Sequence, residues 1–304
     1  MSIWYIDARA QSHDIKLAKL KTPPMTLTIT PSQKSCGAAV TGCDLSQPLA
    51  PEQVAEIRAA WLTHHVLIFP GQTLSPDDLL RVSSAFGTLG PEPFIRALEH
   101  APGIVPVQRL ASETGPLFAG TWHSDWSFLP APPIGTFLYA ITIPPRGGDT
   151  LFANQHAALD EMPDSLRKKL EGKRAIHSAR HAYGTHGTYA QMSEDNRGMV
   201  IDTGETAHTE TVHPLIRAHA ETGRPALYGA PGHITRLLDE PEATSKALLG
   251  ELFRWQTRPD FQFRLKWQEK MLVLWDNRSL IHMATGGYQG HHRLLHRTMI
   301  WPQQ

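Results

Sequence analysis

A series of short strand-like segments separated by turns constrains the fold most strongly. Residues 136–143 are rich in β-branched and aromatic side chains, Pro144–Gly148 is typical of a turn, and Thr150 begins the next strand. Further strands are predicted at residues 26–30, 66–69, 261–265, 271–275 and 295–301. This pattern favours a β-sandwich of the jelly-roll type.

Helices are predicted mostly outside the β-rich middle of the chain. Pro51 suits a first helical turn, and Ser75 suits the N-cap of a second helix that ends near Phe86. Two more helices are predicted at 162–170 and from Pro241 onwards. The sequence therefore predicts a mainly β fold with covering helices, in one domain over residues 25–304. Residues 1–24 are predicted to be an N-terminal extension.

Composition argues against several classes of partner. The 304 residues carry 29 Lys plus Arg and 29 Asp plus Glu, so the formal net charge is zero. A neutral chain has no global electrostatic attraction to nucleic acid or to an anionic membrane. The two cysteines, Cys36 and Cys43, fit neither a zinc knuckle nor a disulfide framework. The chain lacks a membrane-length apolar run and a secretory leader, which predicts a cytoplasmic protein.

A His-x-Asp pair and one distant histidine are the strongest chemical signal. On a strand, positions i and i+2 point to the same face, so His123 and Asp125 could bind one metal ion together. His282 is the candidate for the third ligand. Two histidines and one carboxylate are the ligand set of non-haem Fe(II) oxygenases. Three octahedral positions would remain for a bidentate 2-oxo acid and O2.

Two arginines follow the distal histidine. The glycines between His282 and Arg293 allow a turn, so two adjacent strands are predicted to carry these residues side by side. A guanidinium binds a carboxylate bidentately, so Arg293 is predicted to anchor the distal carboxylate of 2-oxoglutarate, with the Thr150 hydroxyl as a second donor. Arg297 is expected on the same strand face, where it could bind an anionic group of the substrate.

Alternative interpretations remain open at this level. A single His-x-Asp pair is a weak signal, because His208 and Glu210 show the same pattern and His177 and His181 are four positions apart. A Zn or Mn enzyme on the same fold would also use three ligands with an open position, but it would leave the Arg293 and Thr150 pair without a task. A non-catalytic β-sandwich binding module would need none of these ligands.

Ordered motifs along the chain resemble the taurine/2,4-dichlorophenoxyacetate dioxygenase family of Fe(II)/2-oxoglutarate enzymes. The resemblance extends over roughly residues 25–302. It is carried by six segments: Gly42–Ser46, Trp122–Phe128, Gly147–Leu151, Val212–Leu215, Trp275–Arg278 with His282, and Arg293–Arg297.

The resemblance implies a double-stranded β-helix and a set of site residues. His123, Asp125 and His282 would bind iron, and Thr150 and Arg293 would bind 2-oxoglutarate. Arg297 occupies the position that holds the sulfonate in taurine dioxygenase. The implied activity is oxidation of a C–H bond in a small anionic substrate by O2, by hydroxylation with or without cleavage of a C–heteroatom bond, releasing succinate and CO2. A homo-oligomer is also implied.

The substrate region departs from taurine dioxygenase. Glu92 and Ile95 stand where that enzyme has a contacting His and Tyr, and Ala119 replaces a contacting Asn, so taurine is a poor candidate substrate. Glu92 is also a candidate substrate contact: in the pocket it would favour a cationic or hydroxyl-bearing group, whereas a lone glutamate is more commonly expected at the surface.

The polar segment 176–210 is predicted to be a lid. Its length and weak periodicity are typical of a mobile cover over a site. Tyr183, within it, and His233, beyond it, are candidate substrate contacts.

Overall fold

The computed structural model describes residues 26–191 and 197–303, so the predicted extension at 1–24 lies outside the described residues. The helices in these ranges are α1 (Pro51–His64), α2 (Pro76–Ser84), α3 (Gln155–Asp160), α4 (Asp164–Leu170), α5 (Arg180–Tyr183) and α6 (Glu242–Gln256). Within these ranges, no helix combines the length and hydropathy needed to cross a membrane.

Strands form most of the remaining regular structure. In chain order they are β1 (Thr28–Pro31), β2 (Ala38–Thr41), β3 (Val66–Phe69), β4 (Thr88–Leu89), β5 (Val105–Arg109), β6 (Gly135–Thr142), β7 (Thr150–Asn154), β8 (Arg174–His177), β9 (Thr211–Pro214), β10 (Ile216–Ala218), β11 (Pro225–Leu227), β12 (Ile234–Leu237), β13 (Gln262–Leu265), β14 (Leu272–Asp276), β15 (Leu280–Ala284) and β16 (Arg293–Trp301).

Two facing sheets build the core of the molecule. The large sheet has eight strands in the order β1-β2-β3-β14-β6-β16-β4, and β5 also pairs with β16. The small sheet has three strands in the order β13-β7-β15. A second three-stranded sheet, β12-β8-β9, and the pair β10-β11 lie outside these two sheets.

Alternation along β14 shows how the sequence fills both sides of the large sheet. Leu272 and Leu274 pack in a core with Trp61 of α1, whereas Val273 and Trp275 pack in another core with Phe152 of the small sheet. Neighbouring residues of a strand point to opposite faces, so one strand serves two cores. The predicted jelly-roll core with covering helices is confirmed.

The predicted helices begin where their sequence signals lie. Pro51 is the first residue of α1, and the Ser75 side-chain oxygen accepts a hydrogen bond of 3.2 Å from the Asp78 backbone N–H at the start of α2. Helix α2 ends at Ser84, two residues before the predicted end. Pro241 is the N-cap of α6, which begins at Glu242.

The segment 176–210 is more structured than its sequence suggested. It begins in β8, contains α5, and buries Tyr183, Tyr189 and Met199; residues 192–196 lie outside the described residues. The elements in this segment are only four residues long, so they leave no visible period in the sequence. The segment is therefore not an irregular loop throughout, and its role as a lid stays a prediction.

Candidate active site

Three side chains predicted as metal ligands come together between the sheets. In the part of the chain that the structure describes, His123, Asp125 and His282 are the one cluster of three metal-binding side chains, with donor atoms within 4.8 Å of one another. Asp125 Oδ1 lies 3.6 Å from His123 Nε2 and 3.7 Å from His282 Nε2. Neither the His208 and Glu210 pair nor the His177 and His181 pair completes such a cluster with other described residues.

The backbone brings these residues together in an unexpected way. His123 does not lie on a regular strand with Asp125; it forms an isolated bridge to His282, with reciprocal N–H···O bonds of 2.9 and 2.7 Å. A turn follows, in which Trp126 has a φ of 45°. The prediction that His123 and Asp125 lie on the same face of one strand is therefore wrong, because the turn sets the direction of the Asp125 side chain.

Both histidines present an Nε2 atom that can bind a metal. His123 Nδ1 lies 2.8 Å from the Thr121 carbonyl oxygen, which can only accept, so Nδ1 carries the proton and Nε2 is free. The His282 ring lies between Phe152 and Trp275, at centroid distances of 5.9 and 4.8 Å. Burial lowers the pKa of His282 to about 3, which keeps the imidazole neutral, as a metal ligand must be.

A buried hydrogen-bond relay orients the carboxylate of Asp125. The Thr136 hydroxyl donates to Asp125 Oδ2 at 2.6 Å, and Asn277 Nδ2 donates to Thr136 Oγ1 at 2.9 Å. Trp275 Nε1 in turn donates to Asn277 Oδ1 at 3.0 Å. Oδ2 is thereby held, and Oδ1 is left facing both histidines.

The Asp125 carboxylate is also stabilised in its charged form. Burial raises the pKa of Asp125, but His282, His123 and Arg297 together lower it below its usual range. Sequence reasoning missed Thr136 and the relay. The only available signal was the Trp275–Arg278 motif, which contains Asn277 but does not reveal its contact.

Arg293 lies in the same cavity as the three candidate ligands, although by a different route from the one predicted. Strand β15, with His282, belongs to the small sheet, and β16, with Arg293, belongs to the large sheet. The two residues therefore approach each other from facing sheets and not from adjacent strands. The loop between them, which contains Gly286, Gly287 and Gly290, crosses from one sheet to the other.

The Arg293 guanidinium is buried without a compensating acid. Its residue is 6% exposed, Nε has no hydrogen-bond partner, and no carboxylate of the described residues lies within ion-pair distance. Burial lowers the pKa of Arg293, and the more distant Tyr288 and Asp149 oppose this only in part. A side chain at Gly148, which has a φ of +70°, would lie 3.2 Å from Arg293 Nε, so glycine leaves room for this arginine.

Thr150 lies beside Arg293 with its hydroxyl proton available. Trp267 Nε1 donates to Thr150 Oγ1 at 3.0 Å, and an indole N–H can only donate. The threonine oxygen is therefore the acceptor in this bond, and its own O–H can be donated to a ligand. Arg293, Thr150, His282 and Tyr288 line one end of a first cavity, which also reaches Asp125. Trp267 and Tyr288 were not identified from the sequence.

Arg297 lines the same cavity but already has a partner. Arg297 Nε donates to Glu92 Oε1 at 3.2 Å, and Nη2 donates to Oε2 at 2.8 Å. Trp126 Nε1 donates to Oε2 as well, at 3.1 Å. The side chains of Arg297 and Glu92 are 5% and 7% exposed. The expectation of Glu92 at the surface was therefore wrong; it is buried behind Arg297.

A second cavity adjoins the first and contains the remaining candidates. Tyr183 and His233 line it together with Arg297, Trp126 and Ala119, whereas Glu92 is not part of its lining. Tyr183 stacks on Phe94 at 4.7 Å, and the His233 ring lies edge-on to His123 at 6.1 Å. Both ring nitrogens of His233 lack a partner among the described residues.

Comparison of the sequence with known proteins identifies relatives of this chain. The sequence profile of the taurine catabolism dioxygenase TauD, TfdA family matches residues 28–299. An alkylsulfatase of Acinetobacter baylyi is 32% identical over 283 residues, which cover 92% of this chain and 87% of the relative. An alpha-ketoglutarate-dependent 2,4-dichlorophenoxyacetate dioxygenase of Cupriavidus pinatubonensis is 33% identical, covering 85% and 92% of the two chains.

Similarity to a solved structure leads to the same family as the sequence comparisons. The crystal structure of a taurine dioxygenase from Burkholderia xenovorans has a TM-score of 0.74 at 29% identity and covers 91% of both chains. The family match and the buried His-Asp-His cluster lead to the same assignment. The chain belongs to the TauD, TfdA family and is an Fe(II)- and 2-oxoglutarate-dependent dioxygenase that uses O2.

Proposed function

We propose that His123, Asp125 and His282 hold the Fe(II) ion and that Arg293 and Thr150 hold the distal carboxylate of 2-oxoglutarate. The donor set supports the first assignment, because two imidazoles and a carboxylate converge through Nε2, Nε2 and Oδ1. The observation that carries the second is the buried Arg293, which has no acid within ion-pair distance in the described ranges. A buried cation of this kind needs an anion.

Each side chain of the site has a separate task in this proposal. The bound iron, with 2-oxoglutarate and O2, supplies the oxidising chemistry, and succinate and CO2 are released. Thr136 fixes one oxygen of Asp125, so the other is presented to the metal as a single donor. Phe152 and Trp275 enclose His282 and keep water from this side of the site.

The substrate is proposed to be a small organic anion that loses a C–H bond by hydroxylation, with cleavage where the carbon bears a heteroatom. The names of the relatives, an alkylsulfatase and a 2,4-dichlorophenoxyacetate dioxygenase, support this class. Charge supports it as well: apart from Arg297, which is paired with Glu92, the lining of the first cavity contains three arginines (Arg109, Arg197 and Arg293) and two acids (Glu113 and Asp125).

Turnover assays test this proposal. Purified enzyme with Fe(II) should consume 2-oxoglutarate and form succinate, and organic acids and sulfate esters should accelerate the reaction. Taurine should not. Substitution of Arg293 by Gln should raise the KM for 2-oxoglutarate, whereas a Zn- or Mn-dependent hydrolase would turn over without 2-oxoglutarate. The proposal would be contradicted if the Fe(II)-loaded enzyme consumed no 2-oxoglutarate, either alone or with any of the organic acids and sulfate esters.

Three further features stay predictions: a single domain over residues 25–304, a cytoplasmic location and a homo-oligomeric state. Light scattering of the purified protein measures the oligomeric state, and limited proteolysis with mass spectrometry tests the domain limits. Proteolysis also tests the lid prediction for 176–210. Equal cleavage rates in this segment with and without 2-oxoglutarate and substrate would contradict the lid.

A further inference from the structure

The ion pair of Glu92 and Arg297 determines which hydrogen-bond donors and how much charge Arg297 presents to the two cavities. A guanidinium has five N–H donors, and the two bonds to Glu92 use one on Nε and one on Nη2. Three donors remain on the outer edge of Arg297. Because Arg297 lines both cavities and Glu92 lines neither, the remaining donors face the cavities while the carboxylate lies behind them.

The charge of Arg297 is cancelled inside the protein. Glu92 is the paired acid, and Asp125 adds a second negative charge close enough to act on Arg297. Glu92 is itself held by three hydrogen bonds, two from Arg297 and one from Trp126 Nε1. It cannot rotate away from the arginine without breaking them, so the cancellation is a fixed property of the site.

Resting on the proposed function, we propose that Glu92 makes Arg297 a charge-neutral hydrogen-bond donor. Arg297 then contacts an uncharged oxygen of the substrate, such as a carbonyl, ether or sulfonyl oxygen. Any anionic group of the substrate binds elsewhere in the cavity. Glu92 is thus a specificity-determining residue that acts through Arg297.

The physical reason is the low dielectric of a buried site. A sulfonate or carboxylate placed on Arg297 would bring a second negative charge close to the buried carboxylate of Glu92, where like charges repel strongly. An uncharged oxygen accepts the same N–H bonds without that repulsion.

The test compares two probes of nearly equal shape, methanesulfonate and dimethyl sulfone. Calorimetry under nitrogen measures their binding to the enzyme loaded with Fe(II) and 2-oxoglutarate. The variant Glu92→Gln keeps an acceptor for Arg297 but removes the negative charge. It should bind methanesulfonate at least tenfold more tightly than the wild type, whereas its affinity for dimethyl sulfone should change less than about threefold.

The double variant Glu92→Gln/Arg297→Gln is the matched control, because it removes both charges and leaves the net charge unchanged. Its affinity for methanesulfonate should lie within about threefold of the wild type. A tenfold loss in the double variant would show that Arg297 binds the anion directly and would overturn the inference. So would the absence of any gain in Glu92→Gln, including the case in which neither protein binds the sulfonate.

Iron and 2-oxoglutarate binding are measured first in each protein. A wild type that fails to bind 2-oxoglutarate in the presence of Fe(II) contradicts the proposed function. Normal 2-oxoglutarate binding without the expected sulfonate pattern contradicts only the role of Glu92. If Glu92→Gln does not fold, the methanesulfonate affinity of the double variant is the deciding measurement: a value within about threefold of the wild type supports the inference, and a tenfold loss overturns it.

Discussion

Two arginines on one strand of this enzyme have opposite surroundings. Arg293 and Arg297 are four positions apart on β16, both are buried, and both line the first cavity. Arg297 is paired with Glu92, which is 205 positions away in the chain, whereas Arg293 has no acidic partner in the part of the chain described. Residue type, strand position and burial are therefore insufficient to define the role of an arginine.

The difference shows how one cavity can receive two ligands. A buried guanidinium requires a negative charge close by. At Arg293 the proposed 2-oxoglutarate would supply that charge, so the part of the cavity lined by Arg293 and Thr150 would select a carboxylate. At Arg297 the protein supplies the charge, so this end is left with hydrogen-bond donors and little net charge. Five predictions test this contrast and the site around it, from the largest expected effect to the smallest.

Removal of Arg297 alone should have the largest effect on stability. Arg297→Gln leaves the buried Glu92 without its ion-pair partner, which costs about 3–5 kcal/mol in the free energy of unfolding. The double variant Glu92→Gln/Arg297→Gln should recover most of this loss. Chemical denaturation measures both. Equal destabilisation of the single and the double variant would show that the ion pair is unimportant.

The stability of Arg297→Gln should also depend on pH. Burial raises the pKa of Glu92, and without Arg297 nothing comparable opposes this effect. The folded variant then holds a proton that the unfolded chain releases above pH of about 4.3, so its stability should fall as pH rises through the raised pKa. The deficit relative to the wild type should be smaller at pH 5 than at pH 8, and a pH-independent deficit would contradict this reasoning.

Removal of Arg293 should affect the co-substrate and not the metal. Arg293→Gln loses a buried charge-assisted pair with the 2-oxoglutarate carboxylate, which corresponds to about 3 kcal/mol or roughly 100-fold in affinity. Arg293→Lys keeps the charge without the forked geometry and should lose less. Equilibrium titration of 2-oxoglutarate measures the effect, and the affinity for Fe(II) alone should be unchanged in both variants.

Disruption of the relay behind Asp125 should weaken iron binding. Thr136→Val keeps the shape of the side chain but removes the donor to Asp125 Oδ2, and such outer contacts are typically worth about 10- to 100-fold in metal affinity. Thr136→Ser retains the hydroxyl and is the matched control. Competition with a chelator measures the Fe(II) affinity. Equal affinities of Thr136→Val and Thr136→Ser would show that the hydrogen bond to Asp125 does not contribute to iron binding.

Loss of the Thr150 hydroxyl should have the smallest effect. Thr150→Val removes one neutral donor to 2-oxoglutarate, worth about 1 kcal/mol or roughly fivefold in affinity. Thr150→Ser should retain wild-type affinity. A loss in Thr150→Val as large as that in Arg293→Gln would indicate that the hydroxyl, and not the guanidinium, anchors the carboxylate.

Much of the site could be predicted because its signals are local. The His123-Ser-Asp125 run, the apolar run of β14, Pro51 at the start of α1 and the Ser75 cap of α2 are short patterns that depend on neighbouring residues. The fold followed from the same patterns. His282, Thr150 and Arg293 were found through motifs, and they do lie in one cavity.

The features that the sequence missed depend on contacts between distant segments. The pairing of Glu92 with Arg297 and the assignment of β15 and β16 to different sheets have no local signature. The turn that orients Asp125 was not predicted. It consists of an isolated bridge at His123 and a positive φ at Trp126, and in sequence such a turn cannot be distinguished from a strand. Burial of Glu92 was missed because a lone glutamate is usually exposed.

An anaerobic titration of 2-oxoglutarate into the Fe(II)-loaded enzyme tests the central claim most directly. The visible charge-transfer band of the complex reports binding in the wild type, His282→Ala, Arg293→Gln and Glu92→Gln/Arg297→Gln. We predict a band in the wild type, none in His282→Ala, a roughly 100-fold weaker titration in Arg293→Gln and an unchanged titration in the double variant. A band that persists in His282→Ala, or equal weakening at both arginines, would contradict the account.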